Sequence, residues 1–348
     1  MTQDSAVLLV NLGSPDSTQV PHVRRYLREF LMDPRVIDAP FPIRWLIVHA
    51  LILPTRPRHS AEAYRSIWTA NGSPLIHLSQ QLESRVRERL SIPVFLAMRY
   101  GNPGIRSTLS AILASMKDSL SELRLLPLYP QYAMSTFESV VVETRRNLKL
   151  LAPDIRLKVI QPFFRDPRYI SSLAELVRPF LERGADHLLF SYHGLPERHL
   201  RKTDPTGHHC LIQPDCCSTP SPAHTFCYRH QAMETTRAVV KELGIDSDNV
   251  SHAYQSRLGR DKWLEPSTES ELIRLGNAGT KNLAVLSPSF VTDCLETLEE
   301  LGIRGRDTFR KAGGETMDLI PCLNVSPGWV ETVTELIQDE SAWKEDTP

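Results

Sequence analysis

This 348-residue chain has no surplus of either charge: 40 Lys and Arg stand against 41 Asp and Glu, for a formal net charge of −1. A nucleic-acid binder normally shows a basic excess or a basic stripe, so that class is disfavoured. No apolar run reaches the length needed to cross a bilayer. The N-terminus lacks a basic n-region, and the apolar run Ala6–Val10 is too short for a signal peptide. The expected compartment is therefore the cytosol, where disulfides are rare and the cysteines need another explanation. Asn11–Asp16 is not a G-x-G-x-x-G loop, and no Walker loop occurs anywhere, so a nucleotide-cofactor reading lacks its usual warrant.

What is present suits a globular enzyme. The apolar content is 41%, and the length exceeds the usual size of one domain. Short apolar runs near 6–11, 93–98, 123–128, 156–160, 187–192, 250–254, 282–287 and 317–320 read as strands. Amphipathic stretches over 20–32, 76–90, 104–118, 137–151, 167–183, 229–243, 268–276, 294–302 and 328–338 read as helices. Continuous apolar strands between helices imply parallel strands covered on both faces. The expected fold is α/β: two similar Rossmann-like, doubly wound domains, each with a four-stranded parallel sheet, with a cleft between them. Their expected spans are 1–160 and 161–325. A weak repeat supports this, because Val7–Pro15 and Leu188–Pro196 both run from an apolar strand through a polar residue into a Gly-x-Pro turn.

Three segments could carry chemistry. His193 follows the apolar strand His187–Phe190 and sits at the hinge of the turn Tyr192-His193-Gly194-Leu195-Pro196. The carboxyl end of a strand is where open α/β sheets bind ligands, and an imidazole there can exchange a proton near neutral pH. About a hundred residues on, Asp293, Glu296 and Glu300 lie at i, i+3 and i+7, a spacing that lines one α-helix face. Asp293 as N-cap with Glu296 as its capping-box partner is the simpler account. The functional one is a carboxylate line that holds a divalent cation or accepts protons. Pro40–Arg58, with Phe41, Trp45, Leu46, Leu51 and Leu53, is either a buried helix or an apolar lip touching a membrane surface or an apolar ligand.

Eight separated segments give these residues a common context: Leu9–Pro15, Asn71–Leu75, Met98–Tyr100, Leu126–Tyr132, Ser135-Thr136, Ser191–Pro196, Tyr254–Arg257 with Trp263, and Phe290–Glu296. In that order they resemble the ferrochelatases, which insert ferrous iron into a porphyrin. The resemblance implies His193 as the acceptor of pyrrole protons, Glu296 as the acid opposite it, and both as contacts for the ferrous substrate. Asp293 and Glu300 match the neighbouring acidic line. Leu12, Arg99, Tyr100, Tyr129, Trp263 and Phe290 match porphyrin-pocket positions. The segment 40–75 resembles the family's membrane-facing lip, and the helix over 326–340 is expected to pack back on the first domain. Cys294 stands where many members have histidine, which weakens any mechanism that needs two facing histidines. The implied activity is formation of protohaem from protoporphyrin IX and Fe2+. A chelatase for coproporphyrin or another tetrapyrrole, and a non-catalytic tetrapyrrole or haem binder, are the alternatives. The expected place is the cytoplasm, peripheral to the inner face of the membrane.

The stretch 204–228 has little periodicity and reads as an insertion. It holds Cys210, Cys216, Cys217 and Cys227, spaced C-x5-C-C-x9-C. Four clustered cysteines in a cytosolic chain argue for a metal centre. Their thiolates suit zinc or an iron–sulfur cluster, and His208, His209, His224 and His230 keep a mixed-ligand zinc site open. The resemblance favours a [2Fe-2S] cluster, as some bacterial ferrochelatases carry one within an internal segment.

Overall fold

A computed structural model describes residues 4–116, 119–257, 259 and 261–346. The chain forms two compact units. One comprises Met1–Tyr129, Met134–Gln161 and Val325–Pro348; the other comprises Pro130–Ala133 and Pro162–Asn324.

The first unit is built on strands β1 (Ser5–Asn11), β2 (Val94–Met98), β3 (Glu122–Pro127) and β4 (Arg156–Ile160), joined late in the chain by β9 (Trp343–Glu345). The second holds β5 (His187–His193), β6 (Val250–Gln255), β7 (Asn282–Leu286) and β8 (Thr316–Leu319). The sheet orders are β2-β1-β3-β4-β9 and β6-β5-β7-β8. The two sheets thus repeat one winding, with β1 and β5 in equivalent inner positions. Every residue of β1 is buried, as are six of the seven in β5, because helices cover both faces of a parallel sheet.

The first sheet departs from the expected four parallel strands. β9 pairs antiparallel with β4, placing Ile160 opposite Trp343. Buried Arg124 supports this edge, bonding Glu122 at 2.8 Å and Glu340 at 2.8 Å. The helix Pro327–Gln338 packs on helix Pro74–Arg87, where Arg85 donates to the Val325 carbonyl at 3.2 Å. Helices also form over Arg56–Ile67 and Glu197–Lys202, where the sequence pattern did not call for them.

Pro40–Arg58 is helical but only one face is buried. A helix over Phe41–Leu46 continues as a π-helix over Ile47–Ile52. Val48 and Leu53 pack with Leu31 and Ile37, while Phe41, Ile43, Trp45, Leu46 and Leu51 are exposed. Among the described residues, no helix is long and apolar enough to cross a membrane.

Gly13 closes the turn after β1 at φ +105°, and a Cβ there would lie 1.8 Å from the Tyr100 carbonyl oxygen. Leu12 accepts the Tyr100 N–H at 2.9 Å, which holds that approach close. Gly13→Ala is therefore expected to lower the unfolding free energy by about 3 kcal/mol or more, from backbone strain and overpacking together. Urea denaturation measures it, and a loss within experimental error would refute the tight turn.

Candidate active site

In the second sheet the winding order reverses between the parallel strands β5 and β7, so the crevice beyond their carboxyl ends is the topological switch point. His193 ends β5, and the segment Ser287–Glu296 leaves β7 toward the same end. The His193 N–H donates to Ser289 Oγ at 3.1 Å, and the Phe290 ring stands edge-on to the imidazole at 5.9 Å. His193 Nδ1 is buried with no hydrogen-bond partner among the described residues, so no neighbour competes for that nitrogen. Burial pushes the His193 pKa below the usual imidazole value of 6.5, and the charge of Glu296 partly offsets this. The imidazole is therefore neutral at physiological pH, as a proton acceptor must be.

Gly194 is required by contact. A Cβ there would meet the carbonyls of Gln255 at 2.9 Å and Ser256 at 3.0 Å, and Trp263 at 3.2 Å. Trp263 is held in this corner by its bridge to Pro196. Gln255, which the sequence flagged only as part of a matched motif, is the main tie. It pairs with His193 in register, accepts the Ser191 hydroxyl at 2.8 Å, and donates to the Glu296 carbonyl at 3.1 Å.

The acidic segment differs from the expected α-helix. Residues Glu296–Gly305 form a π-helix, whose i→i+5 bonding widens the turn. Residues four apart, Glu296 and Glu300, then line up. Asp293 precedes the helix and is committed to the loop: it accepts from Asn324 Nδ2 at 2.7 Å and from Thr297 Oγ1 at 3.2 Å. The anticipated face of three carboxylates is thus one of two. Burial raises the Glu296 pKa and the charge of Glu300 adds to this, against the opposing pull of His193 and of the Cys294 thiol that bonds it. Cys294 is itself buried, and desolvation with the nearby Glu296 charge keeps it a thiol. Glu300 accepts from Ser256 Oγ at 2.5 Å. His193, Phe290, Glu296 and Glu300 are brought together; Asp293 serves as their anchor.

The first unit shows the same topology. Leu12 and Tyr129 follow the carboxyl ends of β1 and β3, its switch point. Arg99 and Tyr100 belong to a buried network instead. Arg99 Nη2 and the Tyr100 hydroxyl donate to Asp33 Oδ2 at 2.6 and 2.8 Å, and Arg99 Nε reaches Ser139 Oγ at 2.8 Å. Burial opposes the Asp33 charge, but bonds from Ser139, the Arg35 N–H, Arg99 and Tyr100 outweigh it and hold its carboxyl below the usual range. Tyr100 is fully buried, so its place is to hold Asp33 rather than to present a ligand surface.

Cys210, Cys216, Cys217 and Cys227 are all buried and form no disulfide. They bond one another: Cys227 reaches Cys210 and Cys217, and Cys217 reaches Cys216. The bond with Cys210, chiefly, pushes the Cys227 thiol up to about 12. Asp204 anchors the loop by accepting the N–H groups of Thr206, His209 and Cys210 at 2.8–2.9 Å. Ring nitrogens of His209 and His224 lie 2.7 and 2.8 Å from the Cys216 carbonyl, and His230 lies 2.7 Å from the Cys217 carbonyl. These three imidazoles support the backbone that carries the thiols. Among the described residues, no group of three or more His, Cys, Asp or Glu is placed so as to hold a metal ion, so the expected metal centre is not formed by this arrangement of the thiols.

A profile of the ferrochelatase family matches residues 4–341. The chain belongs to the ferrochelatase family. The ferrochelatase of Opitutus terrae is 50% identical over 336 residues, covering 96% of each chain. That of Azotobacter vinelandii is 50% identical over 335 residues, covering 96% of this chain and 98% of its own. Among solved structures, SirB from Bacillus subtilis with Fe3+ covers 97% of this chain and 95% of its own at a TM-score of 0.54. At 11% identity that likeness concerns the fold alone.

The carboxylate at 296 supports the charged form of His193. Glu296→Gln is therefore expected to lower the His193 pKa further below 6.5. NMR titration of the His193 ring resonances reads this directly; an unchanged or higher value would show that the two groups are not coupled.

Proposed function

We propose that this chain inserts ferrous iron into protoporphyrin IX to form protohaem, the terminal step of haem biosynthesis, with His193 as the proton acceptor and Glu296 as the acid working with it. The observation that carries these roles is the neutral imidazole at the sheet's switch point, its Nδ1 without a partner among the described residues, electrostatically coupled to a half-buried carboxylate.

The chemistry demands such a pair. A free-base porphyrin is flat and holds two inner N–H protons; replacing them with Fe2+ releases both. Iron enters only when a pyrrole nitrogen tilts out of plane, and an apolar grip on the ring edge can impose that tilt. Neutral His193 takes a proton as it leaves nitrogen. Glu296, less acidic than an ordinary carboxyl, can accept a proton or present a charge to the metal. Glu300, next in the row, is the ferrous contact through which iron approaches Glu296, with Asp293 fixing the helix start. Leu12, Tyr129, Trp263 and Phe290 are proposed as porphyrin contacts, and Arg99 with Tyr100 as the support behind Leu12. The exposed row Phe41, Ile43, Trp45, Leu46 and Leu51 supports peripheral contact with the inner face of the cytoplasmic membrane.

His193→Ala is expected to keep porphyrin binding while losing at least about a hundredfold in metal insertion, the usual scale for a removed general base. Anaerobic assays with Fe2+ and protoporphyrin read both quantities, and undiminished turnover refutes the base role. Running coproporphyrin alongside separates the two substrate readings, since preference for it would reassign the substrate.

The four buried thiols supply the full ligand number of a [2Fe-2S] cluster without drawing on an imidazole, which supports that reading over a mixed His/Cys zinc site. Cys210, Cys216, Cys217 and Cys227 would hold it. When bound, the cluster supplies a one-electron centre and a cross-link within 204–228. Anaerobically purified protein is expected to be brown, with about two sulfides per chain, and Cys217→Ser to bleach it. Colourless protein with stoichiometric zinc would sink this assignment.

A further inference from the structure

The π-helix carries a row of charges four residues apart: Glu296, Glu300 and then Arg304. Arg304 is the outermost, with 62% of its side chain exposed against 22% for Glu300. Its Nη2 lies 3.4 Å from Glu300 Oε1, while Ser256 occupies Oε2 at 2.5 Å, so both carboxylate oxygens already have partners. The stronger hold on Arg304 comes from Glu299. Arg304 Nε lies 2.9 and 3.0 Å from its two oxygens, and Nη2 lies 2.9 Å from one of them.

We propose that Arg304 is a resident counter-ion at the outer end of this row, competing with ferrous iron for Glu300 and so setting how much free iron the enzyme requires. The inference rests on the reading that iron approaches Glu296 by way of Glu300. A divalent ion arriving from solvent meets the guanidinium first and must displace it or bear its repulsion. Glu299 moderates the competition, because one guanidinium is shared between two carboxylates. Removing the charge at 299 releases Arg304 to bind Glu300 fully; removing Arg304 opens Glu300. The two changes should therefore act in opposite directions, which a merely structural role would not produce.

Initial rates of the full-length protein, with Fe2+ varied anaerobically at saturating protoporphyrin, provide the test. Arg304→Gln is expected to lower the KM for iron about three- to tenfold, with the KM for porphyrin and kcat little changed. Glu299→Gln should raise the KM for iron by a similar factor, and Arg304→Lys should stay near the parent. The gap between parent and Arg304→Gln should narrow as salt is added. The proposal is overturned if Arg304→Gln leaves or raises the KM for iron, or if both Gln variants move it the same way. Should Arg304→Gln fail to fold, the sign of the Glu299→Gln effect decides alone. Glu300→Gln separates the two levels. If it raises the KM for iron while Arg304→Gln does nothing, only the role of Arg304 fails. If it leaves the KM unchanged, the iron route through Glu300 fails, and this inference with it.

Discussion

Gln255 ties two segments that lie far apart in sequence, the end of β5 with its turn and the head of the π-helix, to its own strand, and the geometry of the site depends on it. Its oxygen accepts from Ser191 on β5, its nitrogen donates to the Glu296 carbonyl at the head of the π-helix, and its own carbonyl receives the Gly194 N–H at 2.7 Å. Gln255 is only 3% exposed. Leaving one buried amide group without a partner costs about 1–3 kcal/mol, so the three bonds are hard to give up separately. The position of His193 against Glu296 is therefore fixed by β-sheet register and one amide, not by a direct bond between the two.

That arrangement sets the electrostatics. Burial alone drives an imidazole toward neutrality and a carboxyl toward protonation. Placed together, His193 and Glu296 each moderate the other's shift, and Glu300 pushes Glu296 further up. The result is an unprotonated base beside an acid weaker than usual, the division of labour that proton removal followed by metal entry calls for.

How much of this was legible depended on the length scale of each signal. Eight strands were visible because short runs rich in apolar and β-branched residues stand between longer amphipathic stretches. β9 was not, since Trp343–Glu345 is three residues with one buried side chain. The acidic segment was recognised as helical, but its π form was hidden: over ten residues, a hydrophobic pattern does not distinguish i→i+4 from i→i+5 bonding. Asp293 was grouped with Glu296 by spacing, yet its partner Asn324 lies 31 residues away, beyond any local rule. The cysteine cluster was plain from composition. The histidines among those cysteines were ambiguous, because spacing cannot say whether an imidazole faces a thiol or a carbonyl. Tyr100 carried a motif but not its burial.

The two units also show how one winding can end in different side-chain chemistry. β1 and β5 hold the same place in sheets of the same order, and each runs into a glycine turn. At the end of β1, Asn11 satisfies itself locally: its Oδ1 accepts the Leu12 N–H at 2.8 Å, and its Nδ2 donates to Ser79 at 3.0 Å. The following Gly13 is pressed against the Tyr100 backbone. At the end of β5 the residue before the glycine, equivalent to Leu12, is His193, its backbone held by Ser289 and its ring nitrogen Nδ1 left without a partner among the described residues. A buried polar atom without a protein partner is destabilising unless a water, an ion or a ligand completes it. The shared architecture supplies the crevice; where the first repeat places the apolar Leu12 before its glycine, the second places an imidazole able to exchange a proton.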